Sequence, residues 1–165
     1  MKDLLNMEEH MAIKNIVTNI KELRKPCALV EKGEDIKSII KDLEDTLEKH
    51  GGFGLAANQI GISKQIAIVR IKDPKTGQLR AKEDLINPKI IEKGQRIKVS
   101  EECLSFPHLP PIEVDRHVFI QVEDMSNKPV IFVGIDSCVV EHEIHHLWGI
   151  TLLDDKHKDV NRRKR

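Results

Sequence analysis

Residues 135–149 read Ile-Asp-Ser-Cys-Val-Val-Glu-His-Glu-Ile-His-His-Leu-Trp-Gly, and the layout of the chain turns on them. Ile135, Val139, His142 and His146 fall three or four apart, the spacing of one helix face, and Gly149 stands where a glycine C-cap belongs. Ahead of this helix the texture changes. Short runs rich in β-branched residues, QIAIVRI (65–71), LINPKII (85–91), HVFIQVE (117–123) and PVIFVGI (129–135), predict strands. Turn chemistry separates them, as in Asp73-Pro74-Lys75-Thr76-Gly77 and Ser126-Asn127-Lys128. Further back, Ile36, Ile39, Ile40, Leu43 and Leu47 recur at helical spacing with Asp35, Lys37, Lys41, Asp42 and Asp45 between them. That pattern predicts an amphipathic helix over about 35–49, ended by Gly51 and Gly52. Helix, strands, helix predicts an α+β fold whose mostly antiparallel sheet packs around the late helix.

The length of 165 residues suits one domain spanning 1–165, and no repeat or low-complexity linker divides it. Hydrophobic residues at 39% and charged residues at 33% describe an ordinary soluble globular chain. No apolar run approaches the roughly 18 residues of a membrane span, so no membrane partner is expected. Lys plus Arg equals Asp plus Glu at 27 each, which gives no overall pull toward nucleic acid. Aromatics at 3%, with no tyrosine, argue against a base-stacking surface. Cys27, Cys103 and Cys138 are an odd number at wide spacings, a poor disulfide framework that fits a reducing compartment. The opening MKDLLNMEEHMAIKNIV has neither the apolar core of a signal peptide nor the Arg-rich look of a transit peptide, so a cytoplasmic location is expected; separately, the chain is expected to be a monomer. The last ten residues, KHKDVNRRKR (156–165), carry six basic residues and one acid. They read as a solvated basic tail, or as an electrostatic contact with RNA or another acidic surface.

His142-Glu143-Ile144-His145-His146 is an H-E-x-x-H pattern. On a helix, two imidazoles four apart share a face and can converge on one ion, with Glu143 beside the open position to take a proton from bound water. With eight His and fifteen Glu in the chain, the pattern arises by chance in about 3 of 100 shuffled sequences, so alone it is only a lead. Such a site needs a third protein ligand. The slot of one familiar continuation is occupied by Leu152, no glutamate follows Glu143, and the downstream acids are Asp154, Asp155 and Asp159. The third ligand is therefore expected upstream, and Cys103 in Glu101-Glu102-Cys103-Leu104-Ser105 is the leading candidate. Cys138, one turn before His142, reads as a packed core thiol. In Gly52-Phe53-Gly54-Leu55-Ala56-Ala57-Asn58-Gln59 the glycines allow a close backbone approach or simply form a tight turn, and no phosphate-loop signature is present. Gln59 could donate its side-chain amide to a developing oxyanion.

GFGLAANQ, ECLS and HExxH, in that order, resemble the three signature motifs of the peptide deformylases, and LRKPC (23–27), NQIGI (58–62) and LINP (85–88) are similar to the same family. The resemblance runs from about Leu23 to Leu153. It implies that Cys103, His142 and His146 hold one divalent metal ion, usually Fe2+ (iron), with Zn2+, Ni2+ or Co2+ able to occupy the site. It implies that Glu143 is the general base and then the acid, and that Gln59 and the Leu104 N–H stabilise the oxyanion. Phe53, Gly54 and Glu101 are placed on the substrate side, where nascent N-formylmethionyl peptides lose their formyl group as formate. Ile135, Cys138 and Val139, on the turns before His142, could wall a dry slot for the methionine, or simply pack as core.

Two positions depart from that pattern. Glu102 stands where the family usually has glycine. A left-handed backbone there would cost on the order of 1 kcal/mol, and a carboxylate near the cleft would raise the pKa of a metal-bound water. Glu102→Gly is therefore expected to raise kcat/KM. His145 stands where H-E-x-D-H has aspartate, so it needs a partner of its own and could compete with His142 as a ligand. Only nineteen residues follow His146, which puts in doubt the longer helix by which many deformylases dock on the ribosome and leaves the basic tail as a substitute contact. Two other readings stand beside the deformylase: a catalytically impaired deformylase-like binding module, and a metallopeptidase of another family.

Overall fold

In the computed structural model, residues 13–73 and 75–157 are described. The opening segment before Ile13 and the basic tail beyond His157 lie outside them. The order is α1 (Ile20–Leu23), α2 (Lys37–His50), β1 (Gly54–Ala56), a 3-10 turn (Ala57–Ile60), β2 (Ile66–Lys72), β3 (Leu79–Ile86), β4 (Lys89–Lys93), β5 (Arg96–Glu101), β6 (Ile112–His117), β7 (Phe119–Glu123), β8 (Val130–Val133), α3 (Ile135–Leu147) and α4 (Leu152–His157). The strands form three antiparallel sheets, β1-β2-β3, β4-β7-β8 and β5-β6. The expected α+β class and late helix are found, with the sheet divided into three.

The helix expected over 35–49 starts two residues later, where the Asp35 carboxylate accepts the Lys37 N–H at 3.0 Å. Gly51 ends it at φ 74°, its N–H bonding to the Leu47 carbonyl at 2.9 Å. Strand β2 explains why the layers hold together. Its residues alternate between two apolar cores, as a period of two requires. Ile66 and Ile68 pack with Leu43, Leu47 and Leu55 beneath α2. Ala67, Val69 and Ile71 pack with Val140, Ile144 and Leu147 of α3. Each fully buried Leu or Ile there contributes about 1.5–3 kcal/mol, and Leu43, Leu47, Ile66, Ile144 and Leu147 are all fully buried.

The single strand expected over 85–91 is instead the end of β3 and the start of β4. Asn87 breaks it with φ 50° and bonds both the N–H and the carbonyl of Val30, at 2.8 and 2.9 Å. The β5–β6 hairpin is absent from the sequence-based expectation. Its outer residues are charged, while Ile112, Val114 and Arg116 alternate inward from β6. A third small core of Cys103, Ile112, Val114 and Leu152 seals this hairpin against α4. Every residue of α3 from Val140 to Leu147 is buried. No helix among the described residues is long and apolar enough to cross a membrane.

Candidate metal centre

Helix α3 presents His142 and His146 one turn apart, and their Nε2 atoms lie 3.1 Å from each other. The loop leaving β5 brings Cys103 to them, its Sγ 3.3 Å from His146 Nε2. One ligand atom from each of the three residues falls within a 4.8 Å cluster, and all three residues are buried. Ideal tetrahedral bonds to one ion require N···N of about 3.3 Å and S···N of about 3.6 Å. The observed spacings are close to that requirement. Glu101, the last residue of β5, accepts the His142 Nδ1–H at 2.8 Å. A carboxylate can only accept there, so Nδ1 carries a proton and Nε2 is the ring atom turned toward the cluster, where an ion would take the place of the Nε2 proton.

The electrostatics favour a cation at the same point. Burial disfavours charge on His142, but the Cys103 sulfur and the Glu101 and Glu143 carboxylates override it and hold its pKa well above the ordinary value. Burial and the nearby His142 and Arg116 keep His146 well below its ordinary value, as a neutral imidazole with a lone pair to give. A cysteine sulfur, two imidazoles and flanking carboxylates suit a divalent ion of borderline softness. The residues present therefore fit a resident metal.

Burial pushes the Glu143 carboxyl up to about 7, against the charge of His142. Its Oε2 is buried with no hydrogen-bond partner among the described residues. Gly54 explains how the carboxylate fits: a Cβ there would lie 2.8 Å from both Cγ and Oε1 of Glu143. Gln59 is locked by its own carbonyl. Oε1 accepts the Ala56 N–H at 2.9 Å, which turns Nε2 toward Ser105 Oγ at 3.2 Å and Cys103 Sγ at 3.6 Å. The Leu104 N–H makes no hydrogen bond within the described residues.

A cavity of about 750 Å³ opens over this cluster. Phe53, Gly54, Glu101, Ile135, Cys138 and Val139 all line it, together with Gln59, Cys103, Leu104, His142 and Glu143, while His146 sits behind them. Cys138 is 2% exposed and burial pushes its thiol up to about 11, so it is both core and cavity wall. Both oxygens of Glu101 are engaged, by Arg116 at 2.8 Å each and on one of them also by His142, so the carboxylate is tied into the protein while the residue lines the cavity. Glu102 lines the cavity mouth, is exposed, and is not among the residues with positive φ, so no strain attends its side chain. His145 turns away to Asp155, donating from Nδ1 at 2.9 Å, which removes it from competition with His142.

Arg116 and Asp155 escaped the sequence reading. The signal for Arg116 was an arginine at an inward position of the alternating run Ile112-Glu113-Val114-Asp115-Arg116, a place that demands buried carboxylates around it. Phe106, Pro107, Leu109 and Pro111 also line the cavity and were not singled out as site residues.

The polypeptide deformylase family model matches residues 13–162. The chain is 38% identical to a peptide deformylase of Aquifex aeolicus over 137 residues, 80% of each chain. It is 36% identical to peptide deformylase 1 of Bacillus anthracis over 146 residues, 85% of this chain and 90% of that one. Its fold matches the crystal structure of a peptide deformylase from Legionella pneumophila with a TM-score of 0.77 at 29% identity, covering 93% of each chain. With Cys103, His142 and His146 drawn together beneath a cavity, and with matches that run the length of the described fold, the chain belongs to the polypeptide deformylase family.

Proposed function

We propose that the chain works as one catalytic domain that removes the formyl group from N-formylmethionyl peptides and releases formate. The observation that carries this reading is the convergence of Cys103, His142 and His146 beside a buried glutamate whose Oε2 has no hydrogen-bond partner among the described residues. We assign Fe2+ as the physiological ion held by those three residues, with Zn2+, Ni2+ or Co2+ able to take its place. An ion held there would supply Lewis acidity for activating water and polarising the formyl carbonyl.

The remaining chemistry belongs to the chain. Glu143, buried beside the three ligands, takes a proton at its carboxylate during attack and returns it to the leaving amine. Gln59 Nε2 and the Leu104 N–H donate to the oxygen on which charge develops. The clamp from Ala56 fixes the Gln59 amide in advance, so no reorganisation is needed at the moment of reaction. Phe53 and Gly54 offer backbone groups to an extended peptide, and β1 lies at the edge of its sheet. Cys138 and Val139 wall the slot for the methionine side chain, with the exposed Ile135 at its mouth. Because a formyl carbon carries only hydrogen, a tight oxyanion site admits it and excludes bulkier acyl groups.

The site argues against a binding module that has lost catalysis. Glu102 brings no backbone strain, and His145 has acquired the partner it needs in Asp155. A cytoplasmic monomer that meets nascent chains, with the basic tail touching the ribosome, is the setting we assign. Formate release from formyl-Met-Ala-Ser by anaerobically purified, iron-loaded protein tests the reading, with Glu143→Ala as control. Turnover by the parent and none by the variant is expected. Cleavage of internal peptide bonds without formate, or no turnover by the parent, would overturn it.

A further inference from the structure

Arg116 is 1% exposed and fully committed. Its Nε and Nη2 donate to the two oxygens of Glu101 at 2.8 Å each, and Nη1 donates to Asp155 Oδ2 at 2.7 Å. Burial disfavours its charge, but the two carboxylates keep it protonated. Asp155 lies on α4 and also accepts the His145 Nδ1–H at 2.9 Å. One unbroken line of charge-assisted hydrogen bonds thus runs from Asp155 through Arg116 and Glu101 to Nδ1 of His142. The motif this chain resembles would place a carboxylate at position 145, on α3 itself. Here that position is histidine, and a carboxylate reaches the same arginine from the next helix.

We propose that Asp155 is a positioning residue of the metal centre, a carboxylate relocated from α3 to α4. Its grip on Nη1 fixes the plane of the guanidinium, whose fork holds Glu101, which in turn aims His142 Nε2 at the cluster. His145 fills the vacated place and anchors Asp155 from the other side. Helix α4 is on this account part of the metal site. The inference rests on the metal-centre reading above.

Zinc affinity, measured by competition with a chromogenic chelator, tests it without reference to turnover. Asp155→Asn keeps the shape and removes the charge, and we expect its zinc dissociation constant to rise about 10- to 100-fold. Adding His145→Asp to that variant returns a carboxylate to Arg116 from α3, and the affinity should recover to within about threefold of the parent. A residue that merely supports folding would not be rescued from a different helix. Parent-like affinity in Asp155→Asn, or no recovery in the double variant, would overturn the proposal. If Asp155→Asn does not fold, the double variant decides: folded, zinc-binding protein supports the proposal and unfolded protein defeats it. A parent protein that binds no zinc would instead sink the metal centre itself, and this proposal with it.

Discussion

The two sides of α3 are both buried and both rich in ionisable groups, yet they are finished to different degrees. On one side Glu141 accepts the backbone N–H and the Nδ1–H of His117, at 3.0 and 2.9 Å, and His145 is bonded to Asp155. On the other side, among the described residues, Glu143 Oε2 and His146 Nδ1 are buried without partners, and two imidazole nitrogens face each other at 3.1 Å. Buried polar groups are rarely left unpaired. The contrast therefore separates a face that holds geometry from a face kept open for chemistry.

If that division is right, changes on the open face should cost activity and spare or improve stability. Glu143→Gln carries the largest effect, with kcat falling about 10³-fold or more, since the proton carrier is gone. The sign for stability is opposite. The folded-state pKa of Glu143 is raised from 4.5 to about 7, so its ionisation subtracts stability progressively as pH rises through that window. Metal-free Glu143→Gln should melt several degrees above the metal-free parent at pH 8, and the gap should close below pH 4.5. A lower melting temperature at pH 8 would place Glu143 on the wrong side of the comparison.

Gly54→Ala comes next. Its methyl would collide with Glu143, so kcat should fall about 10²-fold. Substitution of a half-buried strand residue should leave the melting temperature within a few degrees, as a thermal melt beside the kinetics would reveal. Equal losses of activity and fold would mean that the close approach is structural.

The paired face is sharpened by acid. Burial alone would raise the Glu101 pKa, but hydrogen bonds and charge from His142 and Arg116 bring it from 4.5 down to about 2. Its contribution is complete above pH 4.5 and is lost as pH falls toward 2. The metal-free parent should lose melting temperature across that interval, and Glu101→Gln should start lower and lose less. Parallel curves would contradict the assignment. Glu102→Gly is the smallest change. With no backbone strain to relieve and an exposed carboxylate screened by solvent, kcat/KM should rise by about twofold at most.

Legibility followed physical origin. Strand β2 and helix α2 announce themselves because apolar burial imposes a period on the sequence, and both appear within two residues of their expected bounds. The ligand set was readable because a helix fixes the i, i+4 geometry locally and the motifs narrowed the search for a third donor. The β5–β6 hairpin was not readable. Its outer face is charged, its inner face includes Arg116, and its pairing is specified by contacts distant in the chain. The same holds for Asp155, whose arginine partner lies 39 residues away. Asn87 shows a third kind of failure: a run of strand-forming residues is cut by one side chain that satisfies Val30.

The account stands or falls on Cys103 meeting His142 and His146 around a single ion. Cobalt titration of metal-free protein reads this directly through the sulfur-to-cobalt charge-transfer band and the intensity of the visible bands. One equivalent of tetrahedral Co2+ with that band is predicted for the parent and for Cys138→Ala, and both signals should vanish in Cys103→Ala. A Cys103→Ala protein that binds one equivalent with the parent spectrum would contradict the account.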